Sequence, residues 1–217
     1  YTYKFRYSAA FGFSHTRDLM TRVTDVNPER QGSAFLGWYN VGQQFTYSLT
    51  LSAAYSPTKW WSSYSNLSAY RIQNKGEDGE GGLQEINIDA NAVNIYSQHV
   101  FSLPKNFKFE ISGWYGSPAL WGGTFHTESM WSLDAGLQVS FLQDRASVKV
   151  SVNDIFDQSN WGGYSDYGGL YYEGQGGHDS RKFNLNLSYM FGNQNVKSRK
   201  RDDANKEESK RAGGGGR

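Results

Sequence analysis

Lys182-Phe183-Asn184-Leu185-Asn186-Leu187-Ser188-Tyr189-Met190-Phe191 is the stretch that decides the fold. Successive side chains of a strand point to opposite faces, so Phe183, Leu185, Leu187, Tyr189 and Phe191 share one face, while Lys182, Asn184, Asn186 and Ser188 share the other. The same period recurs upstream. Tyr1, Tyr3, Phe5, Tyr7, Ala9, Phe11 and Phe13 alternate with Thr2, Lys4, Arg6, Ser8, Ala10, Gly12 and Ser14. Phe45 to Tyr55 alternates with Gln44 to Ser52, Leu133 to Phe141 with Asp134 to Ser140, and Val148 to Val152 with Lys149 to Asn153. Three less regular segments, 61–73, 84–103 and 107–117, bring the expected strands to eight. In the last of them Phe107, Phe109, Ile111 and Tyr115 oppose Lys108, Glu110, Ser112 and Trp114; the first two read in either register. Several segments reach the roughly 9 to 11 tilted residues that cross a bilayer.

The connections alternate in length. Those at 56–59, 104–106 and 143–145 are tight, whereas 18–33, 74–82 and 157–180 are long and rich in Gly and Asp, and 118–127 falls on the long side less emphatically. Short periplasmic turns alternating with long extracellular loops are the layout of outer-membrane barrels. An even strand number puts both ends on the periplasmic side. After Phe191 the chain has mixed charge and almost no apolar residue, so 192–217 reads as a disordered, charged periplasmic tail and 1–191 as barrel. The opening Tyr1-Thr2-Tyr3-Lys4-Phe5 starts mid-pattern, without an initiator Met or signal peptide, and reads as a cut end.

A soluble sandwich also alternates. Three features favour lipid on the apolar side. Trp60 and Trp61 lie beside a short turn and Trp114, Tyr115, Trp121, Trp131 and Trp161 toward the long loops, as expected of two interfacial aromatic belts. Lys4, Arg6, Lys108, Glu110, Asp134, Lys149 and Lys182 all fall on the polar face, and a Lys or Arg facing lipid at the midplane costs roughly 2 to 4 kcal/mol. The last strand ends on an aromatic, Phe191. Aromatic content of 16% with 25 Gly, 4 Pro and a mean hydropathy of -0.69 fits strands that are apolar only at alternate positions. With 0 Cys, a disulfide scaffold is excluded, and a net charge of +1 gives nucleic acid little to bind.

An open strand edge in hydrocarbon leaves backbone groups unsatisfied at several kcal/mol each, so eight strands must close alone or join others. The polar face carries small residues, Gly12, Gly136, Ser48, Ser52, Ser112 and Ser188, which suits a wide barrel with something else inside. The expected class is therefore all-β, an antiparallel up-and-down transmembrane barrel.

The segments FSLPKNFKFEISGWYGSP, MWSLDAGLQVSFLQDRASVKVSVNDIFD and FNLNLSYMFGNQNVKSRKR resemble the C-terminal barrel region of TonB-dependent outer-membrane receptors of the Bacteroidetes type. The resemblance runs from about Thr46 to Arg201. It implies that the eight strands are the C-terminal part of a barrel of about 22, filled by an N-terminal plug and energised through a TonB box by an inner-membrane complex. It also implies uptake of a siderophore, glycan or peptide, and a terminal strand, Phe183, Leu185, Leu187, Tyr189 and Phe191, read by the barrel-assembly machinery. Plug, TonB box and signal peptide are not in this sequence. Two other readings remain: a complete small barrel with a structural or adhesion role, and a soluble sandwich binding module.

No catalytic constellation appears, and no enzyme is expected. His15, His99, His126 and His178 are scattered without metal-ligand spacing, and neither a Gly-x-Ser-x-Gly nor a phosphate-loop pattern occurs. Neither a metal nor a cofactor is expected; the acidic runs Glu77-Asp78-Gly79-Glu80 and Asp154 with Asp157 read as solvated loops ahead of calcium sites. The aromatic, Gly-rich 161–177 is the richest recognition surface, and Trp121, Trp161, Tyr164 and Tyr167 are its candidate ligand contacts.

Overall fold

The computed structural model describes residues 4–27, 29–30, 33–40, 42–76 and 86–192. In chain order its strands are β1 (Lys4–Thr16), β2 (Met20–Val26), β3 (Ala34–Asn40), β4 (Gln43–Ser56), β5 (Trp61–Gly76), β6 (Ile86–Leu103) and β7 (Phe107–Gly116). They continue with β8 (Ala119–Trp121), β9 (Phe125–Thr127), β10 (Met130–Phe141), β11 (Ala146–Asn153), β12 (Trp161–Tyr167), β13 (Leu170–Gly176) and β14 (Lys182–Tyr189). Eight of these form one antiparallel sheet in the order β1-β4-β5-β6-β7-β10-β11-β14, matching the eight expected segments. The expected tail after Gly192, the first acidic run and Tyr1 to Tyr3 lie outside the described residues.

The register carries one face across the whole sheet. Phe5 sits opposite Tyr55, Tyr55 opposite Ser63, Ser63 opposite His99, and His99 opposite Ile111; the row continues through Ala135 and Val152 to Phe183. Since side chains alternate, every residue two apart from these along its strand lies on the same side. That side holds Phe11, Leu49, Leu67, Ile95, Phe109, Leu137, Val150 and Leu185. The other holds Lys4, Arg6, Lys108, Glu110, Asp134, Lys149 and Lys182, where alternation put them.

Among the described residues nothing covers the apolar face. Phe11 is 76% exposed, and Phe183, Leu185 and Leu187 are 77%, 67% and 70% exposed. A sandwich would hide these between two sheets, so that reading fails. Among the described residues the buried apolar side chains are only Val23, Ile86, Ala92, Leu120, Ala146 and Tyr167, far too few to hold a soluble domain together. The sheet is not closed: β1 and β14 each pair along one edge only.

Register also phases the two irregular strands. Trp61, Leu67 and Ala69 of β5 and Phe101, Ile95 and Val93 of β6 join the apolar face. The interruption between them is polar, and it is internally bonded. Trp61 Nε1 donates to His99 Nδ1 at 3.3 Å, His99 Nε2 meets Ser97 Oγ at 3.2 Å, and Ser97 Oγ meets Ser65 Oγ at 2.8 Å. Mutual hydrogen bonding is what lets such groups sit among apolar neighbours. Beyond Ala69 and Val93 the same face turns polar, with Arg71 paired to Asp89 at 2.9 Å and half exposed. From Trp61 to Ala69 and from Val93 to Phe101, apolar positions thus flank this bonded polar patch before the face turns polar throughout. On the opposite face Lys149 pairs with Glu110 at 3.3 Å, and Gln98 donates to the same carboxylate at 2.9 Å.

Candidate functional site

Three of the long connections carry strands of their own. Between β1 and β4 lies the hairpin β2-β3, and a four-stranded sheet, β13-β12-β9-β8, gathers the two later long connections. Both stand at the end of the main sheet away from its tight turns. Val23, Ile86 and Tyr167 form their small core, with Leu19, Tyr39 and Ile88 against it. Polar cross-links join separate connections: Gly123 N donates to Arg22 O at 3.2 Å, Asn74 Nδ2 to Gly123 O at 3.2 Å, Ser165 Oγ to Thr124 Oγ1 at 3.1 Å, and Thr24 Oγ1 to the Tyr172 hydroxyl at 2.9 Å.

Local sequence explains the β12-β13 hairpin. Gly168 and Gly169 both have positive φ, +63° and +76°, the two-residue turn whose twist suits a tight hairpin. Glycines also let rings lie close. A Cβ on Gly163 would stand 2.5 Å from the Phe125 ring and 2.2 Å from His126 O, and one on Gly176 would stand 2.8 Å from three atoms of the Trp161 indole. Phe125 and Trp161 are therefore pressed onto backbone.

The four candidate contacts separate. Tyr167 is 8% exposed and belongs to the small core. Trp121 is 61% exposed on β8, edge-on to Phe125 at 6.2 Å. Trp161 and Tyr164 point to opposite faces of β12, and the strand between them borders two adjoining hollows that share Glu128, Gly162 and Gln175. The Trp161 hollow, of about 500 Å³, adds Asn160; the Tyr164 hollow, of about 330 Å³, adds Glu173. Tyr164 is flanked by His126 at 5.3 Å and Tyr171 at 6.1 Å, both nearly parallel to it. The Tyr171 hydroxyl donates to Glu173, which raises the tyrosine above its ordinary pKa. Sequence reading missed Glu128, Asn160 and Gln175. Only pairing brings Glu128 beside β12, through Glu128 N donating to Gly162 O at 2.8 Å.

Asp154, at the end of β11, is 2% exposed. Its carboxylate accepts from Ser180 Oγ, from Gln158 N at 3.0 Å and from Ser159 N at 2.9 Å. Burial alone would raise its pKa, but Ser180, the two backbone donors and the Arg181 charge together outweigh that and hold it below the ordinary value. Asp157 shares the Ser180 hydroxyl at 3.0 Å. These oxygens are turned toward N–H and O–H donors, which is the geometry of a loop staple. No group of three His, Asp or Glu fit to hold a metal occurs among the described residues.

An uncovered apolar sheet face, a polar opposite face and alternating connection lengths describe a membrane-crossing barrel wall. A family model agrees, matching residues 1–189 to the Outer membrane protein beta-barrel family. The chain belongs to that family. Among curated proteins and solved structures, none matches. For an outer-membrane β-barrel protein, the apolar face built from Phe11, Leu49, Leu137 and Leu185 is the surface that meets lipid.

Proposed function

We propose that this outer-membrane chain is the C-terminal eight-stranded part of a larger barrel, of about 22 strands by resemblance, in a receptor for TonB-dependent uptake of a large or scarce nutrient. The observation that carries this reading is the unclosed sheet, with uncovered apolar residues up to both edge strands. Edges of that kind in hydrocarbon demand further strands. Small side chains on the polar face, Gly12, Ser48, Ser112 and Gly136, support a lumen wide enough for a plug. The cross-linked caps of β2-β3 and β8-β9-β12-β13 support recognition on the extracellular side, with the tight turns periplasmic. Its partners are then outer-membrane lipid, the barrel-assembly machinery, a plug domain and the TonB complex.

Uptake by cells with and without TonB tests the proposal. Cells expressing the full-length protein should accumulate a labelled nutrient only when TonB is present. Accumulation that persists at the same rate without TonB would refute energised transport. A heat-modifiable band given by residues 1–191 alone would instead favour a complete small barrel.

A further inference from the structure

On the outward face of the eight-stranded sheet only three described side chains are charged: Arg71 and Lys75 on β5 and Asp89 on β6. Two are cations, and all three stand toward the cap end. Their height follows from the register. The last apolar outward residues are Phe45 on β4, Ala69 on β5 and Val93 on β6. Arg71 is the next outward position after Ala69 and faces Tyr47; Lys75 is one outward step past Gln73, which faces Phe45. Such a step advances about 7 Å along a strand, and less along the membrane normal once the strand tilts. A headgroup layer is about 5 to 7 Å deep on each side of the hydrocarbon. Arg71 and Lys75 therefore leave the apolar wall at headgroup height.

We infer that Arg71 and Lys75, with Gln73 between them, hold the phosphate of an outer-leaflet lipid. Charge complementarity selects that group: a guanidinium and an ammonium at this height meet the anionic part of a membrane lipid. Asp89 engages Arg71 without saturating it, because it binds through Nη2 at 2.9 Å and a guanidinium has five N–H donors. The pair is half exposed, at 48% and 50%, so it competes weakly with a phosphate. The Lys75 ammonium lies 6.0 Å from the Phe45 ring, and the His15 ring stacks on the same phenyl at 4.3 Å. Below, an apolar hollow of about 480 Å³ lies among Ile95, Tyr115, Trp131 and Leu133, open because Gly113 places no side chain between Ser97 and Leu133. Ile95 faces Leu67, which is about 13 Å down β5 from Arg71. An acyl chain hanging from a headgroup at Arg71 spans that distance and lies in the hollow.

This site rests on the proposed orientation, with the tight turns periplasmic, and not on transport. The full-length protein is stripped of lipid in detergent and titrated with lipid A bearing one phosphate, with the same lipid after phosphatase treatment, with phosphatidylglycerol and with inorganic phosphate. Native mass spectrometry reads the bound mass. The phosphorylated lipid A should bind. R71Q/K75Q should weaken it about tenfold or more, and the phosphatase-treated lipid should bind the unaltered protein as poorly. W131A, which removes a wall of the hollow, should weaken it about threefold. D89N breaks the ion pair but keeps both cations, and should bind at least as tightly as the unaltered protein. Heat-modifiable mobility checks that every variant is folded. The site is overturned if phosphorylated and phosphatase-treated lipid bind alike, if R71Q/K75Q leaves binding unchanged, or if D89N loses it as R71Q/K75Q does. Displacement of lipid A by equal concentrations of phosphatidylglycerol or inorganic phosphate would overturn it too. Orientation is measured separately: L36C, at an exposed position of β3, should react with an impermeant maleimide on intact cells. Protection of L36C while R71Q/K75Q still controls binding would refute the orientation and leave the phosphate site standing. Labelling without phosphate-dependent binding would do the reverse.

Discussion

Leu51 and Thr50 are neighbours on β4, and exchanging each for Arg separates lipid from lumen. Leu51 lies between Ala9 and Leu67, midway along the apolar positions Tyr55, Ala53, Leu51, Leu49 and Tyr47. Thr50 lies at the same height on the opposite face, between Ala10 and Ser68, where small neighbours leave room for a long side chain. An Arg facing hydrocarbon at mid-depth costs about 2 to 4 kcal/mol, or about 30- to 900-fold in the folding equilibrium. Leu51→Arg should cost that amount. Thr50→Arg should cost under about 1 kcal/mol, because its guanidinium stays in a polar interior. The assay is reversible urea unfolding of the full-length protein in lipid vesicles, read by Trp fluorescence and by heat-modifiable mobility. Equal costs for the two variants, or a larger cost for Thr50→Arg, would refute the assignment of the faces.

Asp154→Asn should loosen the β11 to β14 connection by about 1.5 to 3 kcal/mol, since the hydrogen bonds lost are to a charged group; faster amide exchange at Gln158 and Ser159 is the readout. The Asp154 pKa is depressed in the folded state, so its stabilisation is complete above the ordinary carboxylate value of about 3.9 and disappears as pH falls through the lower folded value. Protection of those amides should accordingly hold from pH 7 to about 4 and fall only in stronger acid; a loss between pH 5 and 7 would contradict this. Gly163→Val places carbon against His126 O and the Phe125 ring, and should separate β9 from β12 while leaving heat-modifiable mobility intact. Phe191→Ala should lower the amount of protein reaching the outer membrane severalfold; unchanged levels in a membrane fractionation would remove Phe191 from the assembly signal.

The barrel wall was legible because a period of two is hard to mistake when one face meets lipid. Where that pattern blurs, in β5 and β6, the cause is physical: Ser63, Ser65, Ser97 and His99 occupy apolar-face positions, and register alone reveals their side. The cap strands were invisible for a different reason. Asp18 to Ser33 and Asp157 to Ser180 read as loops since they lack aliphatic alternation, yet β2, β12 and β13 form inside them. Gly168-Gly169 between Tyr167 and Leu170 was an available hairpin signal. Ring count alone grouped Trp121, Trp161, Tyr164 and Tyr167; only three-dimensional pairing shows that Tyr167 is core and that Glu128 stands against Gly162 of β12.

The bonded chain from Trp61 through His99 and Ser97 to Ser65 has an evolutionary consequence. Losing a single link strands a donor or acceptor in hydrocarbon, at a cost of about 1 to 3 kcal/mol, while replacing the partners together by apolar groups is close to neutral. Related barrels should therefore inherit these four positions as a block or discard them as a block, and chimaeras that split β5 from β6 should assemble poorly.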